Sequence, residues 1–356
     1  MKYYNFSAGP SMLPEEAKLS AQKDFMDYKG SGMSVVEMSH RCKWYEEIND
    51  EAEALVRELM NIGDDYYVLF VQGGASTQFE AVPLNLLVKG RADYIVTGNF
   101  ANKAYKEAIK YGDIACAASS KEANYTYIPD LDTVHFRDDI DYVHITGNNT
   151  IFGTRYTEFP KVDNLVADMS SCIMSEVIDV NKFELIYAGA QKNIGPAGMT
   201  LVIVKKDAIN NPMPICPTML KYSTQAEAKS LYNTPPTFSI YMAMLTFRWL
   251  KKLGGVPAIQ EINERKAKKL YDFIDNSTLY TNSVRKKDRS LMNVPFVTPS
   301  QELDAKFVKE AAQNGLLTLK GHRLVGGMRA SIYNAMPEEG VDALIDFMKK
   351  FEMENK

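Results

Sequence analysis

The sequence predicts an α/β protein, with a large domain built on a mostly parallel central sheet flanked by helices and a smaller C-terminal α/β domain. Three observations lead there. Apolar runs of strand length recur at 67–71, 94–98, 142–146, 165–167, 185–188 and 199–204. Helical patterns at 77–88 and 102–111 separate the early runs, and strands alternating with helices favour a parallel sheet covered on both faces. After Val204 the pattern changes to turns and then long helices. A chain of 356 residues also exceeds what one small core organises.

Taken in order, residues 1–15 read as an extended arm containing Ser7-Ala8-Gly9-Pro10 and Leu13-Pro14. A helix is expected after Pro14, stopping near Gly30-Ser31-Gly32. A second, amphipathic helix spans 44–61, with Leu55, Leu59 and Met60 on its apolar face. The large domain is assigned to 16–254. Two helices, 239–253 and 257–275, flank Gly254-Gly255, and the small domain is assigned to 255–356, with helices at 302–314 and 337–351.

Composition excludes several classes. Hydrophobic residues make up 46% and charged residues 24%, as in ordinary globular proteins. The net charge of -4 leaves no nucleic-acid footprint. No apolar run approaches a membrane span, and the amino terminus lacks a secretory segment, so a cytoplasmic protein is expected. Cys42, Cys116, Cys172 and Cys216 are scattered, which indicates neither a disulfide framework nor a metal site.

Chemistry is expected at the carboxyl ends of the strands, where open α/β sheets collect ligands. Lys192 lies there, in Ala188-Gly189-Ala190-Gln191-Lys192-Asn193-Ile194-Gly195-Pro196, between two apolar runs. An amine with a desolvated stem has a lowered pKa and becomes a nucleophile toward carbonyls. Gly73-Gly74-Ala75-Ser76-Thr77 follows a strand and opens a helix, which suits a phosphate, although Thr77 with Glu80 also fits a capping box. Asp168 ends a strand; taken alone it reads first as a cap on the turn before Ser170-Ser171, but with no basic neighbour in sequence a protonated ring nitrogen would serve as its partner. Thr150 follows another strand, and Phe100 offers a stacking face or a core ring. His40-Arg41, His322-Arg323 and Arg329 form a basic set suited to small ligands with several negative charges.

Together these residues describe a pyridoxal-phosphate site. The segments Asn5–Pro10, Ser39-His40-Arg41, Gln78–Asn85, Ile186–Gly198, Asn233–Thr237 and Gly321–Met336 then make the chain resemble, over nearly its whole length, the phosphoserine aminotransferases. These are class V members of the fold-type I pyridoxal-phosphate enzymes. The resemblance implies that Lys192 bonds the cofactor aldehyde, Asp168 pairs with the ring nitrogen and Thr150 contacts the ring's oxygen side. It implies that Ala75, Ser76 and Gln191 hold the cofactor phosphate, with Asn233 and Thr234 arriving from the other subunit of a homodimer. Arg329 would take the substrate α-carboxylate. His40, Arg41, His322 and Arg323 would take the phosphate of phosphoserine or the side-chain carboxylate of glutamate. Phe100 stands where the family usually has Trp, and Ala75-Ser76 replace a Gly-Arg type loop.

The implied reaction is amino transfer between phosphoserine and 2-oxoglutarate, a step of serine biosynthesis; use of 4-phosphohydroxythreonine is left open. Two alternatives share parts of the pattern. Another fold-type I aminotransferase, acting on alanine, serine or glyoxylate, would need fewer anion-binding residues. A regulator that binds the cofactor without turnover would need a further module, and no basic DNA-binding one is present.

Overall fold

The computed structural model describes residues 2–355. Its strands are β1 (Tyr4–Asn5), β2 (Tyr66–Val71), β3 (Arg91–Val96), β4 (Asp113–Ser119), β5 (Tyr142–Thr146), β6 (Leu165–Asp168), β7 (Leu185–Gly189), β8 (Thr200–Lys205), β9 (Asn293–Phe296), β10 (Leu316–Leu317) and β11 (Met328–Ser331). The helices are α1 (Glu15–Asp24), α2 (Lys43–Met60), α3 (Gly74–Leu86), α4 (Asn99–Ala108), α5 (Tyr222–Glu227), α6 (Thr237–Lys252), α7 (Gly255–Asn276), α8 (Gln301–Gln313) and α9 (Glu338–Glu354).

Seven strands form the central sheet in the order β2-β8-β7-β6-β5-β3-β4. Only β8 runs against its neighbours, β2 and β7; the pairs β7-β6, β6-β5, β5-β3 and β3-β4 are parallel. Side chains alternate between faces along each strand, as a period of two requires. Ile145, Ala167, Ile186 and Ile203 enter one core, with Ile48 and Val56 of α2 and Ile240 and Phe247 of α6. Tyr94, Val166, Tyr187 and Val202 enter the other, with Phe79 and Val82 of α3 and Ala101 and Ala104 of α4. Helices therefore cover both faces, which is why these strands are almost continuously apolar.

A third core joins the C-terminal half of α7 to β9, β11, α8 and α9, through Leu270, Val294, Phe307, Ala330 and Leu344. The arm belongs to it. Tyr4 and Phe6 are buried there, and β1 pairs in parallel with β10, so the expected extended arm contains a short strand. Two other expectations are corrected. Strand β4 was not anticipated, because Asp-Ile-Ala-Cys-Ala-Ala-Ser is alanine-rich and lies at the sheet edge, where one side is solvated. The first helix ends at Asp24 rather than near Gly30, and a single 3₁₀ turn over Tyr28–Gly30 takes up the remainder.

Candidate active site

The ends of five strands, β2, β3, β5, β6 and β7, build the site. After β7 the chain turns sharply through Ala190–Asn193, and Ala190 N–H donates to Met199 O at 3.0 Å, closing the turn onto the run into β8. Lys192 therefore projects at the carboxyl edge of the sheet. Its ammonium donates to Thr150 Oγ1 at 2.6 Å and lies 5.2 Å from the centroid of the Phe100 ring. Burial lowers the pKa of this amine from 10.5 to about 8; Asp168 pulls it back up and Arg329 pushes it further down. At neutral pH a useful fraction is thus the free nucleophile.

Asp168 closes β6 and is buried. Its Oδ1 accepts from Ser170 N–H at 2.9 Å, and Ser170 Oγ in turn accepts from Gly189 N–H at 3.0 Å. Desolvation pushes the carboxyl up, partly opposed by Lys192 and by Ser170. A buried carboxylate in this position calls for a cation, and a protonated heterocycle is one.

The first turn of α3 forms another wall. Gly73 has φ +91°, and a Cβ there would lie 2.0 Å from Thr77 Oγ1, so only glycine lets this turn form. The alternative reading of a capping box is not realised. Thr77 Oγ1 donates to Gly73 O at 3.0 Å, because the helix begins at Gly74, and the cap has no side-chain hydrogen bond. The N–H groups of Gly74, Ala75 and Ser76 are thereby left for an anion at the positive end of the helix. Gly73, Ala75, Ser76, Phe100, Asp168 and Lys192 line one cavity of about 290 Å³, with Gln191 on its rim. A larger cleft, about 640 Å³, opens between Phe152 and Phe296, but no acid, histidine or cysteine among the described residues lines it.

Thr150 links the amine to the substrate side. Its hydroxyl meets Lys192, and its carbonyl accepts from Arg329 Nη1 at 3.2 Å. Close approach of two loops puts Thr150 near Phe100: a Cβ on Gly98 would lie 2.3 Å from Asn149 Oδ1. Burial lowers the Arg329 pKa, its Nε is enclosed without a partner, and no carboxylate among the described residues pairs with it. His322 is also pushed down, first by burial and then by Arg329, Arg323 and Lys103.

Other expected residues lie elsewhere in the chain. Asn233 lines a neighbouring cavity with Gly73 and Thr77, and Thr234 O accepts from Gln72 Nε2 at 3.2 Å. Neither lines the Lys192 cavity, nor do His40, Arg41, His322, Arg323 or Arg329. The sequence reading missed Ser170, whose only signal was its place two residues after an Asp. It also missed Asn193, whose Oδ1 accepts from Asn334 N–H at 2.9 Å. The arm was unexpected here too: Ser11 N–H donates to Gln191 O at 2.9 Å, and Ser11 Oγ donates to Lys192 O.

A phosphate-sized anion site, a buried carboxylate, an aromatic face and a lowered-pKa amine around one cavity fit pyridoxal phosphate. Comparisons with known proteins agree. The Aminotransferase class-V family model matches residues 3–344. A phosphoserine aminotransferase of Bacillus cereus is 55% identical, covering 100% of this chain and 99% of its own. One of Listeria monocytogenes is 54% identical, covering 98% and 96%. A solved phosphoserine aminotransferase from Bacillus circulans subsp. alkalophilus superposes with a TM-score of 0.97 at 46% identity, covering 100% of this chain and 99% of that one. A PLP-bound phosphoserine aminotransferase from Trichomonas vaginalis gives 0.94 at 40% identity, covering 98% and 100%. The chain belongs to the phosphoserine aminotransferase family of the class-V aminotransferases.

Proposed function

We propose that this chain transfers an amino group between O-phospho-L-serine and 2-oxoglutarate, with 3-phosphohydroxypyruvate and L-glutamate as the other pair, using pyridoxal phosphate. The observation that carries the chemistry is the Lys192 amine, 2.6 Å from Thr150 Oγ1 with its pKa lowered to about 8. When bound, the cofactor supplies a ring that accommodates the electron pair left as the substrate's α-proton departs. Lys192 Nζ takes and returns that proton, which a free amine in a desolvated setting does well. Asp168 holds the ring nitrogen in its cationic form, Gly74–Ser76 hold the phosphate, Gln191 supports it, and Phe100 covers the ring face. Arg329, whose enclosed Nε lacks a partner, binds the α-carboxylate.

His322 and Arg323 take the distal anion. His40 and Arg41 take it as well, and Asn233 and Thr234, which lie outside this chain's Lys192 cavity, are assigned to the site of a second copy in a homodimer. Tyr232 beside Asn233, and Met219 on the same cavity as Asn233, are exposed apolar side chains suited to such a contact. The separate C-terminal core takes in α7 only from Ala267 onward, while Val256 and Ile259 pack in the large core, so we place the unit boundary within α7, later than Gly254. Among the described residues no helix is long and apolar enough to cross a membrane, and we place the enzyme in the cytoplasm, serving serine biosynthesis.

The test is a spectrum of the purified protein titrated with phosphoserine. A visible band should bleach and return on adding 2-oxoglutarate, serine should act far more weakly as donor, and Lys192→Ala should abolish both band and turnover. Equal use of serine and phosphoserine would overturn the substrate assignment, and turnover by Lys192→Ala would overturn the amine's role.

A further inference from the structure

We propose that Lys103 is a specificity-determining residue, a further cation on the substrate side of the site that favours the doubly charged phosphate over a carboxylate; this rests on the phosphoserine reading above. Lys103 lies on α4, three residues after Phe100 and therefore on the same helix face. Its Nζ stands 5.5 Å from the Phe100 ring centroid, and Lys192 Nζ stands 5.2 Å from that same centroid. The two ammonium groups are thus no farther apart than those distances combined, and they share one aromatic ring.

Three further features decide which anion Lys103 serves. It does not line the cavity walled by Gly73–Ser76, so it is not placed for the phosphate at the start of α3. The charge of Lys103 bears on His322, as do those of Arg323 and Arg329, which places all four in one field. No carboxylate among the described residues pairs with Lys103, and the nearby α4 acid, Glu107, is held by Lys110 at 2.7 Å. A set of cations without internal counter-ions has a net demand for external negative charge. Lys103 is exposed, so its ammonium can swing to a substrate without first breaking an ion pair.

Coulomb energy scales with the ligand's charge. A phosphomonoester carries about -1.5 to -2 at pH 7, against -1 for the side-chain carboxylate of glutamate. Losing Lys103 should therefore cost phosphoserine roughly the square of the factor it costs glutamate. For Lys103→Ala in the holoenzyme we expect kcat/KM to fall about five- to tenfold with phosphoserine and about two- to threefold with glutamate. Lys103→Glu should widen both losses and the gap between them, and Lys103→Arg should retain most of the wild-type ratio. The gap should narrow as salt rises.

Inorganic phosphate gives a readout independent of turnover. Its dissociation constant on the holoenzyme, measured by ³¹P NMR, should rise at least fivefold in Lys103→Glu while the bound cofactor's absorbance is unchanged. Equal losses for the two substrates, or an unaltered phosphate constant, would overturn the proposal. If the wild type used no phosphoserine, the functional reading would fail, and Lys103 would then be judged on the phosphate constant alone.

Discussion

Replacing Lys192 by Met in the cofactor-free protein should remove the buried amine and make the fold more stable at neutral pH. Burial holds the amine's pKa at about 8 instead of 10.5. At about 1.36 kcal/mol per pKa unit this corresponds to roughly 3 kcal/mol against the folded state while the amine is charged. Methionine fills similar space without that cost but forfeits the 2.6 Å hydrogen bond to Thr150. A hydrogen bond from a charged donor is worth about 1.5–3 kcal/mol, so the net gain at pH 7 should be about 1 kcal/mol. The sign depends on pH in a defined way. Because the folded-state pKa lies below the unfolded one, the cost is fully present below about pH 8 and disappears as pH rises through 10.5. The variant's advantage should therefore shrink across that window and reverse above it, where only the lost hydrogen bond remains. Urea denaturation of both proteins, cofactor removed and concentration fixed, from pH 7 to 11, reads this directly. A variant less stable than wild type at pH 7, or a difference indifferent to pH, would refute the claim that burial activates this amine.

Arg329→Leu should lower kcat/KM for phosphoserine by 30-fold or more, since losing one side of a desolvated charge pair costs about 2–5 kcal/mol, while cofactor content stays the same. A loss under fivefold would remove Arg329 from the carboxylate site. Lys266 is a buried group outside that site, on α7. Its ammonium donates to the carbonyls of Ile332, Tyr333 and Met336 at 3.1, 2.9 and 3.0 Å, and burial lowers its pKa to about 7. At pH 7 Lys266→Met removes a desolvation penalty of roughly 4 kcal/mol but leaves three carbonyls unpaired at about 1–3 kcal/mol each, so the two largely offset and the net cost by chemical denaturation should be small there. The cost should grow between pH 7 and 10.5, because wild-type lysine sheds its desolvation penalty over that range while methionine has none to shed. Equal stability at pH 9 would show that the three carbonyls find other donors.

Much of the architecture was legible in the chain because buried parallel strands must be apolar throughout. The runs at β5, β7 and β8 stand out for that reason, whereas alanine-rich β4, half-solvated at the edge, does not. Lys192, Asp168 and the start of α3 were also visible, since each directly follows an apolar run and such runs end at the ligand-bearing edge of the sheet. The alternative of a capping box at Thr77 and Glu80 is not realised, because that pattern ignores where the backbone turns; Gly73, with φ +91°, starts the helix earlier.

The sequence by itself determined the apolar strands of the sheet, their alternation of buried faces and the residue types able to do amine chemistry, because local periodicity and side-chain chemistry travel with the chain. Only the tertiary structure decided that Thr150 bridges Lys192 and Arg329, that the arm straps onto the Lys192 turn through Ser11, and that Lys103 shares a ring with the reactive amine. Those contacts join segments tens to hundreds of residues apart. Their partners are chosen by strand order and loop packing, and no pattern along the chain encodes a distance across the sheet.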